Sequence, residues 1–393
     1  MDNNRDYREN RINKNKTIRR KVDTSLIVSV IFLICFGLVM IYSTSSYEAS
    51  MKGWSPDYYL VKQMQATFIG AIVMIFFTVV DYHFWKKFAG IGFIISIICF
   101  ILILTPLGIE ANGAKRWIGV GSISFQPAEL AKVALILLFA ALISQNPKVS
   151  SKIKSTISMF AIMGVLVLCI LLITKNLSSA IIVGGIGYTM LALSSKNTRY
   201  YAILIVIVGV IGFFALKLMG GFRMQRLLVW QDPVAYSKEG GYQTLQALYA
   251  IGSGGFFGKG LGQSVQKLGF VPEAQNDMVF AIICEELGIF GGIAIILLFA
   301  FLIWRLLSIA NKAEDLFGSM LVMGVLIHIA LQVALNIAVV TNTIPNTGVT
   351  LPFISYGGTS TLFLMAEMGL VISVSKGSKK ARRQVVVDDA EEV

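Results

Sequence analysis

From Thr24 to Ser43 the chain reads Thr-Ser-Leu-Ile-Val-Ser-Val-Ile-Phe-Leu-Ile-Cys-Phe-Gly-Leu-Val-Met-Ile-Tyr-Ser, without a single charge. An α-helix rises about 1.5 Å per residue, so such a block matches a hydrocarbon core of roughly 30 Å. Working outward, nine further apolar blocks follow, at about 65–80, 88–106, 127–145, 156–174, 177–194, 199–219, 279–305, 317–340 and 357–375. The expectation is an all-α polytopic membrane protein with ten transmembrane helices. The first block starts too late and runs too long for a cleaved signal peptide. It ends in Ser43-Thr44-Ser45-Ser46 without a small-residue cleavage site, so it reads as a retained anchor.

Composition agrees. Of 393 residues, 55% are hydrophobic and 14% charged, a balance that excludes a soluble globular surface, a disordered chain or collagen. Cys35, Cys99, Cys169 and Cys284 lie in or beside apolar blocks without paired spacing, and read as small hydrophobes instead of a disulfide framework or metal site. With the amino terminus inside, 22 of the 34 lysines and arginines fall on the cytoplasmic side. The positive-inside rule then puts both termini in the cytoplasm. The net charge of +12 follows from topology and attraction to anionic lipid. It is no nucleic-acid footprint, because the basic residues lack interleaved aromatics. Three segments result: a basic tail at 1–23, a membrane body at 24–375, and a tail at 376–393 that ends in the acidic Asp388-Asp389-Ala390-Glu391-Glu392.

In this orientation the outer face holds a short polar hairpin, about 107–126, and one long segment between spans seven and eight, about 220–278. A connection of that length is functional or disordered. Its Phe222, Trp230, Tyr236, Tyr242, Tyr249, Phe256, Phe257 and Phe270 argue for short amphipathic helices and turns lying on the membrane. No internal repeat is evident, which disfavours an inverted-repeat transporter.

Ionisable groups inside apolar stretches carry the chemical information, since each is costly unless paired or hydrated. Pro127, Glu129 and Lys132 open the fourth span, the two charges sharing one helix face at i,i+3. They read either as an ion pair fixing the helix end or as the lining of a wet outer cavity. Asp277 stands where the long segment re-enters the membrane. With Asn276 as N-cap it could serve the helix dipole; desolvated at a membrane mouth, it could act as a base. Glu285 and Glu286, two turns deeper, read as structural. Asn112-Gly113-Ala114-Lys115-Arg116-Trp117 in the outer hairpin could hold a diphosphate or sugar, or anchor the interface. The run from Gly252 to Gln263 is no P-loop. Ser253 replaces its first glycine and Gly260 its Ser/Thr, so the glycines read as surface turns. Leu351 through Ser360 reads as irregular backbone re-entering the membrane. His328 reads as a hydrogen-bonded core histidine, and Glu367 has no visible partner.

In this order these segments resemble the SEDS family (shape, elongation, division and sporulation) of bacterial wall-building proteins, to which FtsW, RodA and SpoVE belong. The resemblance spans nearly all of 24–375. It is strongest in Gly113 through Ile118, Phe125 through Lys132, Tyr242-Gln243 through Gln246 with the glycine run, Pro272 through Asp277 with Glu285-Glu286-Leu287-Gly288, and Leu351 through Ser360. Gly37 through Ser43 and Asn336 through Val340 look closer to the division and sporulation branches. The resemblance implies a peptidoglycan glycosyltransferase that polymerises lipid II outside the cytoplasmic membrane and releases undecaprenyl diphosphate. It implies Asp277 as essential acid, with Glu129 and Lys132 as further catalytic residues.

Lys115, Arg116, Trp117, Gln243, Gln246, Ser355, Tyr356 and Gly357 are then expected at the substrate. No metal ligand is identified, although a divalent cation (Mg or Mn) could share the phosphate role. Expected partners are lipid II, the growing lipid-linked strand, a class B penicillin-binding protein and other divisome proteins, with the division septum as a place of action. Two departures stand out. Thr174-Lys175-Asn176-Leu177 lacks the Gln-Pro-Asp turn of many relatives, and Gln275-Asn276-Asp277 lacks the histidine of their His-Thr-Asp. A flippase for lipid-linked precursor and a non-catalytic division scaffold are the competing readings.

Overall fold

The computed structural model describes residues 22–111, 113–120, 123–147, 153–195, 199–203 and 222–377. The first span is longer than its apolar core: α1 runs Thr24–Met51, N-capped by the Asp23 carboxylate on the Leu26 amide at 3.0 Å. Then come α2 (Tyr58–Val79), α3 (Tyr82–Ile103), α4 (Pro127–Gln145), α5 (Ile153–Leu172) and α6 (Leu177–Ser194). After the long outer segment the chain completes α9 (Val279–Asn311), α10 (Leu316–Val340) and α11 (Gly358–Ser375). These nine are the helices among the described residues long and apolar enough to cross a membrane. The span expected at 199–219 lies mostly outside the described residues, as do most of the basic tail and nearly all of the carboxy-terminal tail.

Most spans are apolar on every side, so burial follows position in the bundle. In α4, 72% of the membrane-crossing window is buried, against 11% in α2. α4, α10 and α11 thus form the interior, and α2, α3 and α5 face lipid. Close contact relies on small residues: a Cβ on Gly369 of α11 would meet the Met74 carbonyl of α2 at 2.5 Å.

At the end bearing the termini, Arg305 pairs with Asp23, while His83 Nε2 meets Asp315 at 2.9 Å. The other end holds the irregular structure. The outer hairpin is a three-stranded antiparallel sheet, β1 (Gly108–Ala111), β2 (Ala114–Val120) and β3 (Ile123–Phe125). It is tied to α11 by Thr359 donating to the Ser124 carbonyl at 3.1 Å. The described residues from 222 to 278 form α7 (Phe222–Gln231), a π-helical turn (Ser237–Gly241), α8 (Tyr242–Gly254) and a run of turns to α9.

The glycine run does more than turn. α9 breaks at Gly288, where φ is +70°. The carbonyls freed at Glu285 and Glu286 accept the amides of Lys259 and Gly260, both at 2.9 Å, and the Ile289 amide donates to the Gly255 carbonyl at 2.9 Å. A Cβ on Gly258 would lie 2.2 Å from the Glu286 carbonyl, so only glycine permits this approach. The expected turns are present, with positive φ at Gly255, Gly258, Gly260 and Gly262, and the run also repairs a broken membrane helix.

Candidate functional site

Asp277 ends a tight turn over 272–277, in which Glu273 takes the left-handed φ of +52° that non-glycine residues avoid. The Asn276 amide donates to the Glu273 carbonyl at 2.9 Å and its side chain to the Glu273 carboxylate at 3.2 Å. Asn276 is therefore not the N-cap of α9. Met278 occupies that position and no side chain caps the helix, so Asp277 lies one residue before the N-cap. Its backbone carbonyl accepts Asn336 Nδ2 of α10 at 2.8 Å, which fixes the turn onto the bundle. Its side chain, 7% exposed, accepts Gln243 Nε2 of α8 at 3.4 Å. Gly348 lies against the other carboxylate oxygen, its Cβ position 3.6 Å away. Burial first, then the Glu273 carboxylate, push the Asp277 carboxyl up to about 7, against the opposing pull of its own amide and of Arg226.

Arg226 escaped sequence reading. It sits on α7, donates to the Asn346 carbonyl at 3.2 Å, and acts electrostatically on both Asp277 and Arg116. Burial and the Arg116 guanidinium both lower its pKa. Arg116, on β2, reaches the Thr174 carbonyl at 3.3 Å through Nε. Arg226, coupled to Arg116 on one side and to a carboxyl raised to about 7 on the other, makes a locally positive site suited to a dianionic group. Asn346 also donates to Gln243 Oε1 at 3.0 Å, so the 341–357 segment joins α7 and α8 around Asp277. The one sequence signal was an arginine within the aromatic-rich outer segment.

Glu129 and Lys132 form a separate buried network. Lys132 Nζ lies 2.8 Å from Glu129 and 3.4 Å from Gln332 Oε1, with the lysine 2% exposed. Gln332 Oε1 also meets His328 Nε2 at 2.9 Å, and His328 Nδ1 meets Glu367 at 2.9 Å. Glu367, unexplained from sequence, thus has His328 as its partner. Gln332 donates to Thr350 and Asn336 to Val349, so one face of α10 links Lys132 to the turn that holds Asp277.

Of the other expected residues, Gln246 is half-buried one turn beyond Gln243 and shares no hydrogen bond with Asp277. Lys115 is exposed on β2 and Trp117 half-buried. Ser355 accepts the Leu351 amide at 2.8 Å and the Gly357 amide reaches Gln63 at 3.1 Å, while the Tyr356 amide donates to the Gln275 carbonyl at 2.9 Å. Tyr356 thereby braces the 272–277 turn. Its hydroxyl is pushed up to about 12 by burial and by Tyr58 and Tyr59. Among the described residues no three His, Cys, Asp or Glu side chains gather as a metal site. Asp277 with Glu273 alone does not fit a resident metal.

Comparisons with known proteins agree with this architecture. A family model for FtsW, RodA and SpoVE, described as cell cycle protein, matches residues 23–380. Stage V sporulation protein E of Bacillus subtilis (strain 168) is 36% identical over 370 residues, 92% of this chain and 99% of that protein. The probable peptidoglycan glycosyltransferase FtsW of Geobacter sp. (strain M18) is 35% identical over 355 residues, 90% of this chain and 96% of its own. A chain of a peptidoglycan synthase complex that coordinates polymerization and crosslinking superposes with a TM-score of 0.77 at 24% identity, covering 90% of this chain and 97% of that one. The Thermus thermophilus rod shape determining protein RodA gives 0.65 at 24% identity, covering 90% and 96%. At that identity the two structures speak for the fold alone; with the family match and the curated relatives, they establish that the chain belongs to the FtsW/RodA/SpoVE family of cell cycle proteins.

Proposed function

We propose that the chain is a peptidoglycan glycosyltransferase that polymerises lipid II on the outer face of the cytoplasmic membrane. The observation that carries this reading is a buried carboxyl raised to about 7 that feels the Arg226 guanidinium, itself coupled to Arg116, at the outer end of a membrane bundle. Asp277 accepts the proton of the acceptor sugar's 4-hydroxyl as that oxygen bonds to the donor's anomeric carbon. The anomeric carbon–oxygen bond breaks, and its electron pair leaves with undecaprenyl diphosphate. A base whose pKa is close to ambient pH suits this proton transfer. Arg116 and Arg226 stabilise the charge gathering on the diphosphate. Gln243 orients Asp277. Glu129 and Lys132 hold the α4–α10 face that positions the turn, and the exposed Lys115 with Trp117 guides the headgroup. A divalent cation, if used, arrives with the phosphates.

The segments at 1–23 and 376–393 serve as cytoplasmic tails, and the site of action is the wall-building machinery, at the septum during division. A class B penicillin-binding protein is the partner, because strands need cross-linking where they emerge. Its single span docks on the outer half of α9 and α10, where Ile289, Phe290 and Ile293 of α9 are exposed. The purified chain in proteoliposomes, with its partner if required, should convert lipid II into glycan polymer. Movement of lipid II across the bilayer without polymer would favour the flippase; neither activity would favour the scaffold.

A further inference from the structure

A cavity of about 580 Å³ lies between the outer end of α1 and the 267–275 segment. Small-molecule sites commonly span ~300–1,000 Å³. Tyr47, Glu48, Tyr242, Lys267, Phe270 and Gln275 are among the residues that line it. Tyr47, Tyr242 and Phe270 remain 38%, 40% and 45% exposed, offering aromatic surface to an occupant. Gln275 is 2% exposed; its Nε2 donates to Glu48 at 2.7 Å, which leaves Oε1 buried with no hydrogen-bond partner. A buried acceptor in that state calls for a donor from outside the protein. Two of the three charged lining residues are ion-paired, Lys267 with Glu286 at 2.8 Å and Glu48 with Lys52 at 2.5 Å, and the third, Glu273, accepts Asn276 Nδ2 at 3.2 Å. An uncharged occupant with flat C–H faces and N–H or O–H donors satisfies all of this, and an amino sugar has that chemistry.

The walls are preformed. Tyr47 lies on Gly269, where a Cβ would come 3.1 Å from its ring. Glu285 accepts the amides of Val265 and Gln266 and the Ser264 hydroxyl, which anchors the segment that bears Lys267. The cavity also adjoins the reactive carboxyl by two routes. Tyr242 precedes Gln243, which bonds Asp277, and the lining runs through Gln275, two residues before Asp277.

We infer that this cavity is a saccharide subsite, holding N-acetylated amino sugars of the growing glycan strand beyond the sugar that reacts at Asp277. The inference rests on the polymerase reading. A lipid-borne monomer ends at its disaccharide, whereas a strand continues past the reacting sugar and needs a surface to lie on.

The test uses the full chain in nanodiscs, with Tyr47→Ala, Phe270→Ala and the conservative Tyr47→Phe. A lipid-free peptidoglycan tetrasaccharide is the binding probe, followed by saturation-transfer NMR, and glycan length and the rate of first coupling are read from lipid II. Removing one aromatic face should weaken tetrasaccharide binding roughly tenfold. Strands should shorten, while coupling of two lipid II molecules stays within about twofold of the parent. Tyr47→Phe should behave as the parent. Unchanged binding and strand length in both alanine variants overturns the inference, and so does a loss of first coupling as large as the loss of length. A parent chain that makes no polymer sinks the polymerase reading instead, and tetrasaccharide binding then still judges the cavity.

Discussion

Asp277 and Glu285 stand eight residues apart on either side of the entry into α9, and their surroundings are opposites. Glu285 is fully buried yet saturated: Lys259 at 2.6 Å, the Val265 and Gln266 amides at 3.2 and 3.3 Å, and the Ser264 hydroxyl. Asp277 is nearly as buried, but beyond its own amide its side chain receives a long bond from Gln243, and its pKa is driven up to about 7. A carboxylate whose lone pairs are all engaged is a staple. One left under-solvated, with Arg226 as the cation acting on it, is ready to take a proton. Neighbouring acids in one re-entrant segment can therefore have unrelated roles, and burial alone does not tell them apart.

Exchanging each acid for its amide should break the comparison most visibly, and in opposite directions. Glu285→Gln removes the ion-pair partner of Lys259 and weakens the acceptor of the Ser264, Val265 and Gln266 bonds, and should cost about 2–4 kcal/mol of stability. It should also make residues 255–267 sensitive to protease. For Asp277 the sign is the reverse. Its folded pKa lies above its unfolded one, so its contribution to stability is fully present below the unfolded value near 4 and is lost as pH rises through 7. At pH 8 Asp277→Asn should melt at or above the parent temperature, by an amount on the order of a few kcal/mol that shrinks towards pH 4.

Arg226→Ala should lower kcat/KM for lipid II by about 10–100-fold, the range for one charge-assisted contact to a diphosphate. It should also displace the acid limb of the rate profile upward, because Arg226 holds the Asp277 pKa down. In the parent, a base needed in its ionised form gives a limb with half-maximal rate near pH 7 and about tenfold loss per unit well below it. A flat profile from pH 5 to 8 would remove Asp277 from the proton transfer. Lys115→Ala should be the mildest change, within about threefold, since an exposed cation at the hairpin contributes little beyond screened attraction.

The spans were legible because bilayer thickness imposes a length that composition alone reveals. Pro127–Gln145 and Leu177–Ser194 coincide with their apolar blocks, whereas Thr24–Met51 extends past Ser43 through polar residues that no hydropathy pattern would include. The strands at 108–125 stayed hidden within a short polar hairpin. Asp277, Glu129 and Lys132 were legible as charges that apolar surroundings tolerate at a cost. Their partners were not. Glu367 and His328 lie on different helices 39 residues apart, Arg226 reaches Asn346 across 120, and Glu286 reaches Ser43 across 243. The role of the glycine run was invisible for the same reason, because the break it repairs at Gly288 lies in another element. Local pattern reveals elements and exceptional residues; pairings arise only when the bundle closes.

The account depends most on Asp277 acting as a base in a correctly folded protein. Initial lipid II polymerisation and melting temperature, measured at pH 8 on the same preparation of Asp277→Asn beside the parent, test that directly. The predicted result is a loss of rate on the order of 10³-fold with the melting temperature held or raised. Polymerisation near the parent rate, or a loss that comes with a lowered melting temperature, would contradict it.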